Sequence, residues 1–154
     1  MIMLKKAVIL IFIIMLCISF ASCGGKTISI TFPFEVTDVT SINMFYFINP
    51  MEAEKKVITQ QEDIKSIYQL FERISLKDKE TEPVAGGSVT SFRFHLSDST
   101  TYEIIYSSIA VKAGRIHLTG NEKDYFTSAD IGACWNNYDY EAVAVDESEL
   151  PSYG

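Results

Sequence analysis

The sequence contains few of the residues that build catalytic or metal centres. It has three cysteines and two histidines in 154 residues, and no Cys-x-x-Cys, His-x-x-x-His or His-Glu-x-x-His spacing offers a zinc site. A Gly-x-Ser-x-Gly elbow and a phosphate-binding loop are also missing from the sequence. We therefore expect no metal, no cofactor and no enzymatic activity of a familiar class.

Basic residues are scarce as well. Thirteen Lys and Arg stand against twenty Asp and Glu, for a net charge of −7. Without the first 22 residues, which we expect to be removed, the net charge becomes −9. This charge argues against nucleic acid and anionic lipid headgroups as partners. The remaining chain of about 130 residues suits a single domain with its own core.

The N-terminus has the layout of a secretory signal. Two lysines at positions 5 and 6 precede an apolar run at 7–20, which is shorter than the about 20 residues of a spanning helix. The run ends in Phe-Ala-Ser-Cys at 20–23, and this small-small-Cys ending resembles the lipobox of bacterial lipoproteins, which usually has Leu in place of Phe20. The resemblance implies a signal peptide at 1–22 and a lipidated Cys23.

Either form of this N-terminus predicts attachment to the outer face of the cell membrane. Residues 23–26 are then the lipidated cysteine and a flexible joint. The alternative is an uncleaved signal anchor. In the lipidated form Cys134 is the remaining thiol, so the domain has no internal disulfide. We expect Cys134 to be buried and unreactive, because it lies in an apolar stretch with no basic neighbour in sequence.

Hydrophobic periodicity predicts strands and one clear helix in the domain, which we place at 27–144. Apolar residues alternate over 27–32 and 41–48, and 55–58 is a short third strand. Thr59 and Glu62 fit a capping box. Apolar residues at helical spacing then predict an amphipathic helix over 60–74: Ile64, Ile67, Tyr68, Phe71 and Ile74. The charged stretch at 75–87 is predicted to be a solvated loop.

The second half predicts an antiparallel meander. A turn at 98–100 places Phe94 opposite Ile104 and His95 opposite Glu103. A two-residue loop at 113–114 pairs Val111 with Ile116. A short helix at 129–135 and a loose acidic tail at 145–154 follow. The expected fold is α+β: one long amphipathic helix packed on an antiparallel sheet, with a C-terminal meander and a short second helix.

Several stretches resemble a group of small bacterial lipoproteins, mainly from Gram-positive organisms, that carry a domain of unknown function. They are Phe-Pro-Phe-Glu at 32–35, Ile-Lys-Ser-Ile-Tyr at 64–68, Pro-Val-Ala-Gly-Gly at 83–87, Phe-Arg-Phe-His-Leu at 92–96 and Tyr-Glu-Ile-Ile-Tyr at 102–106. The resemblance covers most of the domain. It implies location and fold, and no activity.

Three tyrosines are the candidate ligand-binding residues: Tyr46, Tyr102 and Tyr106, whose rings are expected to reach a surface groove. The leading hypothesis is a membrane-tethered, non-enzymatic binding module for an envelope protein or an extracellular ligand. One alternative is a hydrolase with an unfamiliar site at His95 and Glu103. The other is a self-associating module that uses the edge strand at 27–32. The two histidines, expected about 14 Å apart, do not share a metal.

Overall fold

The computed structural model describes residues 26–82 and 84–151. The predicted signal at 1–22 and the lipidation site Cys23 lie outside these residues. The α-helices are α1 (Gln61–Arg73) and α2 (Cys134–Asn137). The strands are β1 (Thr27–Ser29), β2 (Val39–Phe47), β3 (Glu54–Ile58), β4 (Ser75–Lys77), β5 (Val89–Leu96), β6 (Thr101–Ala110), β7 (Ala113–Leu118), β8 (Tyr125–Thr127) and β9 (Val143–Ala144).

These strands form one antiparallel sheet in the order β1-β4-β8-β7-β6-β5-β2-β3-β9. Short turns join β5 to β6, β6 to β7 and β7 to β8, so this part is the predicted meander. The β2–β3 hairpin joins the meander through β5. The chain then crosses one face of the sheet as α1 and returns as β4 near the opposite edge.

The core lies between α1 and this face of the sheet. Ile64, Ile67 and Phe71 of α1 have no exposed surface. Below them, Phe92 and Phe94 point up from β5, and the rings of Phe71 and Phe92 meet edge to face at 4.9 Å. Aromatic pairs of this geometry contribute beyond the area that they bury. The period-2 pattern therefore identified the inward-facing residues of the central strands.

The expected α+β fold built on one long amphipathic helix is wrong. The described chain is mostly a nine-stranded antiparallel sheet, and its two helices have 13 and 4 residues. The helix at Gln61–Arg73 lies inside the predicted range, but it spans only about 20 Å. The predicted loop at 75–87 contributes β4, where Leu76 is fully buried between two exposed neighbours. A three-residue strand is too short for periodicity to reveal.

The N-terminus of α1 is not capped as predicted. The N-cap is Gln60 rather than Thr59, and no side chain of the predicted box bonds there. Instead, the hydroxyl of Tyr140 accepts the Gln60 N–H (3.2 Å) and donates to Asp63 Oδ2 (2.7 Å). A residue about 80 positions away thus replaces the local capping box.

The predicted register of the first hairpin is wrong by two residues. Leu96 N–H donates to Thr100 O (2.9 Å), so the turn is 97–99, with Ser99 at φ +72°. Phe94 therefore lies opposite Tyr102 instead of Ile104. Because side chains alternate with a period of two, this shift leaves each residue on its predicted face.

The second hairpin turns at residues 111–112 instead of 113–114. Ala110 pairs with Ala113, and Lys112 adopts φ +54° at the tip of the turn. Val111, predicted to pair with Ile116, is 92% exposed. A bulge between Ser108 and Ala110 absorbs the extra residue, which alternation alone does not reveal.

The acidic C-terminal stretch, predicted to be loose from residue 145, lies against the sheet through its described part. Val145 N–H donates to Ala53 O (3.1 Å), beside the β3–β9 pairing. Glu149 forms an ion pair with Lys55. Within the described residues, no helix has the length and apolarity needed to cross a membrane.

Candidate functional site

The structure brings together two of the three predicted tyrosines. Tyr46 of β2 and Tyr106 of β6 both lie opposite Thr90 of β5, in one row across the sheet. Tyr102 lies further along β6, opposite Phe94. It lines a different cleft of about 430 Å³ together with Phe34. The tyrosines therefore belong to two separate sites.

A cleft of about 510 Å³ opens between the Tyr46–Tyr106 row and the segment 130–136. We call it the tyrosine cleft; its lining includes Tyr46, Tyr106, Asp130, Gly132, Trp135 and Asn136. The rings of Tyr46 and Trp135 stack at 5.5 Å with an interplanar angle of 24°. Tyr106 is 2% exposed and lies at the sheet. Aromatic side chains from two strands and a helix thus belong to one lining.

Lys56 holds the helical side of the tyrosine cleft in place. It points toward the α1 side of β3, and its Nζ donates to Trp135 O (2.8 Å) and Tyr138 O (2.9 Å). The same ammonium lies 4.7 Å from the centre of the Trp135 ring. Cations stabilise helix C-termini and aromatic faces. No motif in the sequence pointed to Lys56. Its one signal is its position two residues before the inward-facing Ile58, on the same side of the strand.

Two glycines leave room for the Tyr106 ring. A Cβ at Gly114 would lie 2.2 Å from Tyr106 Cε2, which is an overlap. A Cβ at Gly132 would lie 3.7 Å from Tyr106 Cε1, an ordinary contact distance. The predicted turn at Gly114 is therefore wrong: this glycine lies inside β7, where it allows a close approach of the ring.

Polar groups around the tyrosine cleft are suited to hydrogen bonding. Asp130 is exposed, and one carboxylate oxygen accepts Ala133 N–H (3.3 Å). Thr90 Oγ1 is fully buried and has no hydrogen-bond partner in the described chain. It lies 3.9 Å from the Cβ position of Gly132, which lines the cleft. The lining therefore offers a carboxylate and hydroxyls next to aromatic surface.

The Tyr106 phenol stays protonated at neutral pH. Burial raises its pKa, the negative charge of Asp130 raises the pKa further, and the hydroxyl of Ser108 partly opposes them. A neutral phenol donates a hydrogen bond but does not abstract protons. Tyr106 thus brings a protonated hydroxyl to the lining of the tyrosine cleft.

The predicted pairing of His95 with Glu103 is wrong. His95 lies opposite Thr101, and Arg93 lies opposite Glu103. The Glu103 carboxylate forms an ion pair with Arg93 at 3.3 Å and accepts Ser91 Oγ at 2.8 Å. Burial and the positive charge of Arg93 lower the pKa of His95. Glu103 is thus engaged by Arg93 and Ser91 instead of orienting a histidine base.

His117 is separated from His95 by one strand, not by two. The predicted strand at 109–112 is absent as a separate element, because 109–110 continue β6. His117 Nδ1 lies 3.0 Å from Asp124 Oδ1, and Arg115 also bonds this carboxylate. Across the ranges 26–82 and 84–151, no group of three or more His, Cys, Asp or Glu side chains is arranged to hold a metal ion.

Cys134 is buried, as predicted, with 4% of its surface exposed. Burial, with a smaller contribution from Asp130, raises the pKa of its thiol to about 11. The thiol therefore stays protonated at neutral pH and packs as a small apolar side chain.

No protein-family model, curated protein or solved structure matches this chain. Its function is therefore inferred from the chemistry of its own residues.

Proposed function

We propose that this protein is a lipid-anchored, extracytoplasmic binding module that holds a ligand in the tyrosine cleft without transforming it. The observation that carries the proposal is the convergence of Tyr46, Tyr106 and Trp135 on a space of about 510 Å³. Ligand pockets are usually concave spaces of about 300–1,000 Å³ with aromatic linings and a few fixed polar groups. The tyrosine cleft has this size, and its lining combines three aromatic rings with a larger share of polar groups.

The polar groups favour one kind of ligand. The carboxylate of Asp130 and the hydroxyls of Ser88 and Ser108 lie in the lining as hydrogen-bond acceptors, and the rings provide apolar contact. The expected ligand is an extracellular molecule, or a projecting group of an envelope protein, with an apolar body and hydrogen-bond donors.

The membrane tether is supported by the sequence. The apolar run at 7–20 and Phe-Ala-Ser-Cys at 20–23 have the order of a lipoprotein signal. Two or more acyl chains on Cys23 would make the anchor stable, because each buried methylene contributes about 0.8 kcal/mol. Metabolic labelling with an alkynyl fatty acid tests this. The full chain should incorporate the label and sediment with membranes, and Cys23→Ala should do neither. Labelling of Cys23→Ala would contradict lipidation at this residue.

The other two functions receive less support. A hydrolase site at His95 and Glu103 requires the two groups to face each other, and Arg93 takes that position. Self-association through β1 remains a prediction. This strand is at one edge of the sheet and has only three residues, so it offers few backbone groups to a second copy.

Trp135 gives the tyrosine cleft a built-in reporter, because it is the single tryptophan of the chain. The full chain in detergent is titrated with fractions of culture medium and solubilised envelope while the Trp135 emission is recorded. A ligand in the cleft should shift or quench this emission in a saturable way.

A matched pair of variants locates the binding. Asn136 and Asn137 are adjacent, exposed residues of α2, and only Asn136 lines the tyrosine cleft. Asn136→Tyr should abolish the emission change, and Asn137→Tyr should preserve it. Equal responses of the two variants, or no response of the wild type to any fraction, would contradict the proposal.

A further inference from the structure

Residues 143–149 form a strap along the outer edge of β3. Lys55 pairs with Val143, Glu54 pairs with Ala144, and Val145 N–H donates to Ala53 O (3.1 Å). The strap thus adds one short strand to an edge that would otherwise be open. Strand addition of this kind is a general way for proteins to bind extended peptides.

Two basic side chains receive the far end of the strap. Lys55 Nζ lies 2.6 Å from Glu149 Oε2, and Arg93 Nη1 donates to Glu149 O (3.0 Å). Both side chains lie beside the fully buried ring of Phe45, with the Arg93 guanidinium 4.8 Å from the ring centre. Arg93 is also held by Glu103 at 3.3 Å. Arg93 is therefore held on the sheet independently of the strap, whereas the ion pair of Lys55 is with the strap itself.

The strap itself buries little surface. Residues 143–149 are exposed except for Val145, which is half-buried. Val143 is 42% exposed, and the side chain of Glu149 is 48% exposed. Segments with few buried apolar contacts open at low free-energy cost while the rest of the fold stays intact. The strap is therefore the part of the sheet that another peptide can most easily replace.

We propose that the outer edge of β3, with Lys55 and Arg93, is a docking groove for an extended acidic peptide of a partner protein, and that residues 143–149 occupy it within the same chain. The strap shows which chemistry fits, because 143–149 contains three acidic residues and no basic one, and Glu149 pairs with Lys55. The groove lies on the face of the sheet opposite the tyrosine cleft. This inference is thus independent of the proposed function.

Two variants of the full chain open or lock the strap. Val145→Pro removes the N–H that donates to Ala53 O and so opens the strap. The pair Glu54→Cys and Ala144→Cys locks it by a disulfide. Because the 53–145 pair is hydrogen-bonded, the 54–144 pair is not, and its Cα atoms lie about 4.5 Å apart. That separation falls in the range of disulfides.

The probe is a fluorescein-labelled synthetic peptide with the sequence of residues 141–151, measured by anisotropy. The Val145→Pro chain should bind it about tenfold more tightly than the wild type, because the competing strap has a high effective concentration. The oxidised locked chain should bind none, and its reduction should restore wild-type binding. Adding Lys55→Glu to the Val145→Pro chain should weaken binding of the peptide several-fold. Replacing the glutamates of the peptide by glutamine should have the same effect.

The locked chain keeps the test decisive if Val145→Pro unfolds, since oxidation and reduction compare one folded protein with itself. Trp135 emission reports whether each variant is folded. Equal binding to the oxidised and reduced forms would overturn the groove, as would a folded open chain that binds no peptide. Unchanged binding after Lys55→Glu would also overturn it.

Discussion

Gly114→Ala is expected to destabilise the domain through overlaps with the Tyr106 ring and with the backbone oxygen of Ser107, which would lie 2.7 Å from the added Cβ. The added Cβ would lie 2.2 Å from Cε2 and 2.5 Å from Cζ of that ring. Carbon atoms pack at about 3.5–4.0 Å, so the ring must move by more than about 1 Å. Tyr106 is 2% exposed, and overpacking of this kind typically costs about 1–3 kcal/mol.

The control for this prediction is Gly132→Ala, which adds the same methyl group on the other side of the same ring. Its Cβ would lie 3.7 Å from Tyr106 Cε1 and 3.9 Å from Thr90 Oγ1, so no atom has to move. We expect its effect on the free energy of unfolding to stay within about 1 kcal/mol of zero, because losing a glycine also reduces the entropy of the unfolded chain. Urea unfolding followed by Trp135 emission measures both variants.

A double-mutant cycle identifies the cause. Tyr106→Leu removes the two ring atoms that Gly114→Ala overlaps and leaves the contact with Ser107 O, so alanine at 114 should cost less, but not nothing, in that background. The coupling energy between the two positions should exceed about 1 kcal/mol. Additive effects, or a Gly114→Ala chain as stable as the wild type, would refute the steric explanation.

Three further predictions concern single side chains. Lys56→Met should lower the free energy of unfolding by about 1–3 kcal/mol, because it removes two charge-assisted hydrogen bonds to carbonyl oxygens. It should also change the Trp135 emission. The control Lys65→Met, at an exposed residue, should change neither quantity. In a variant with the other two cysteines replaced by alanine, Cys134 should react with a thiol reagent at pH 8 only when the chain unfolds. The reason is that burial raises the pKa of this thiol to about 11. Fast labelling of the folded chain would contradict the burial of Cys134. The pKa of His95 is lowered on folding, so the free energy of unfolding should fall as the pH drops below about 6.5. His95→Gln should reduce that fall. If the free energy of unfolding of this variant depends on pH as that of the wild type does, the assignment of the fall to His95 is refuted.

Local patterns predicted the inward-facing residues and the position of α1. The recurrence of Ile64, Ile67 and Phe71 places one side of a helix in the core, and alternation assigned Phe92 and Phe94 to the same core. These predictions succeed because the side chains on a buried face recur about once per turn in a helix and at every second residue in a strand. The predicted fold class was wrong for a related reason. The strands β4, β8 and β9 have two or three residues each, which is too few to show a period.

The candidate site was predictable only in part. Tyr46 and Tyr106 were predicted to contact a ligand, which stays a prediction, and the register of β2, β5 and β6 places them in one row. Tyr102 was grouped with them by residue type, yet it faces another cleft. Residue type indicates what a side chain can contact, but strand register sets which side chains meet.

The amino-acid order was enough to establish the acidic charge, the scarcity of metal ligands and the segments that face inward, since each depends on composition or on near neighbours. Folding was needed to bring Lys56 to the carbonyl groups of residues 135 and 138, Tyr140 to the start of α1, and Glu149 to Lys55 and Arg93. These partners are 56 to 94 residues apart in the chain. A contact at that separation depends on how strands align and helices pack, and neighbouring residues carry no record of it.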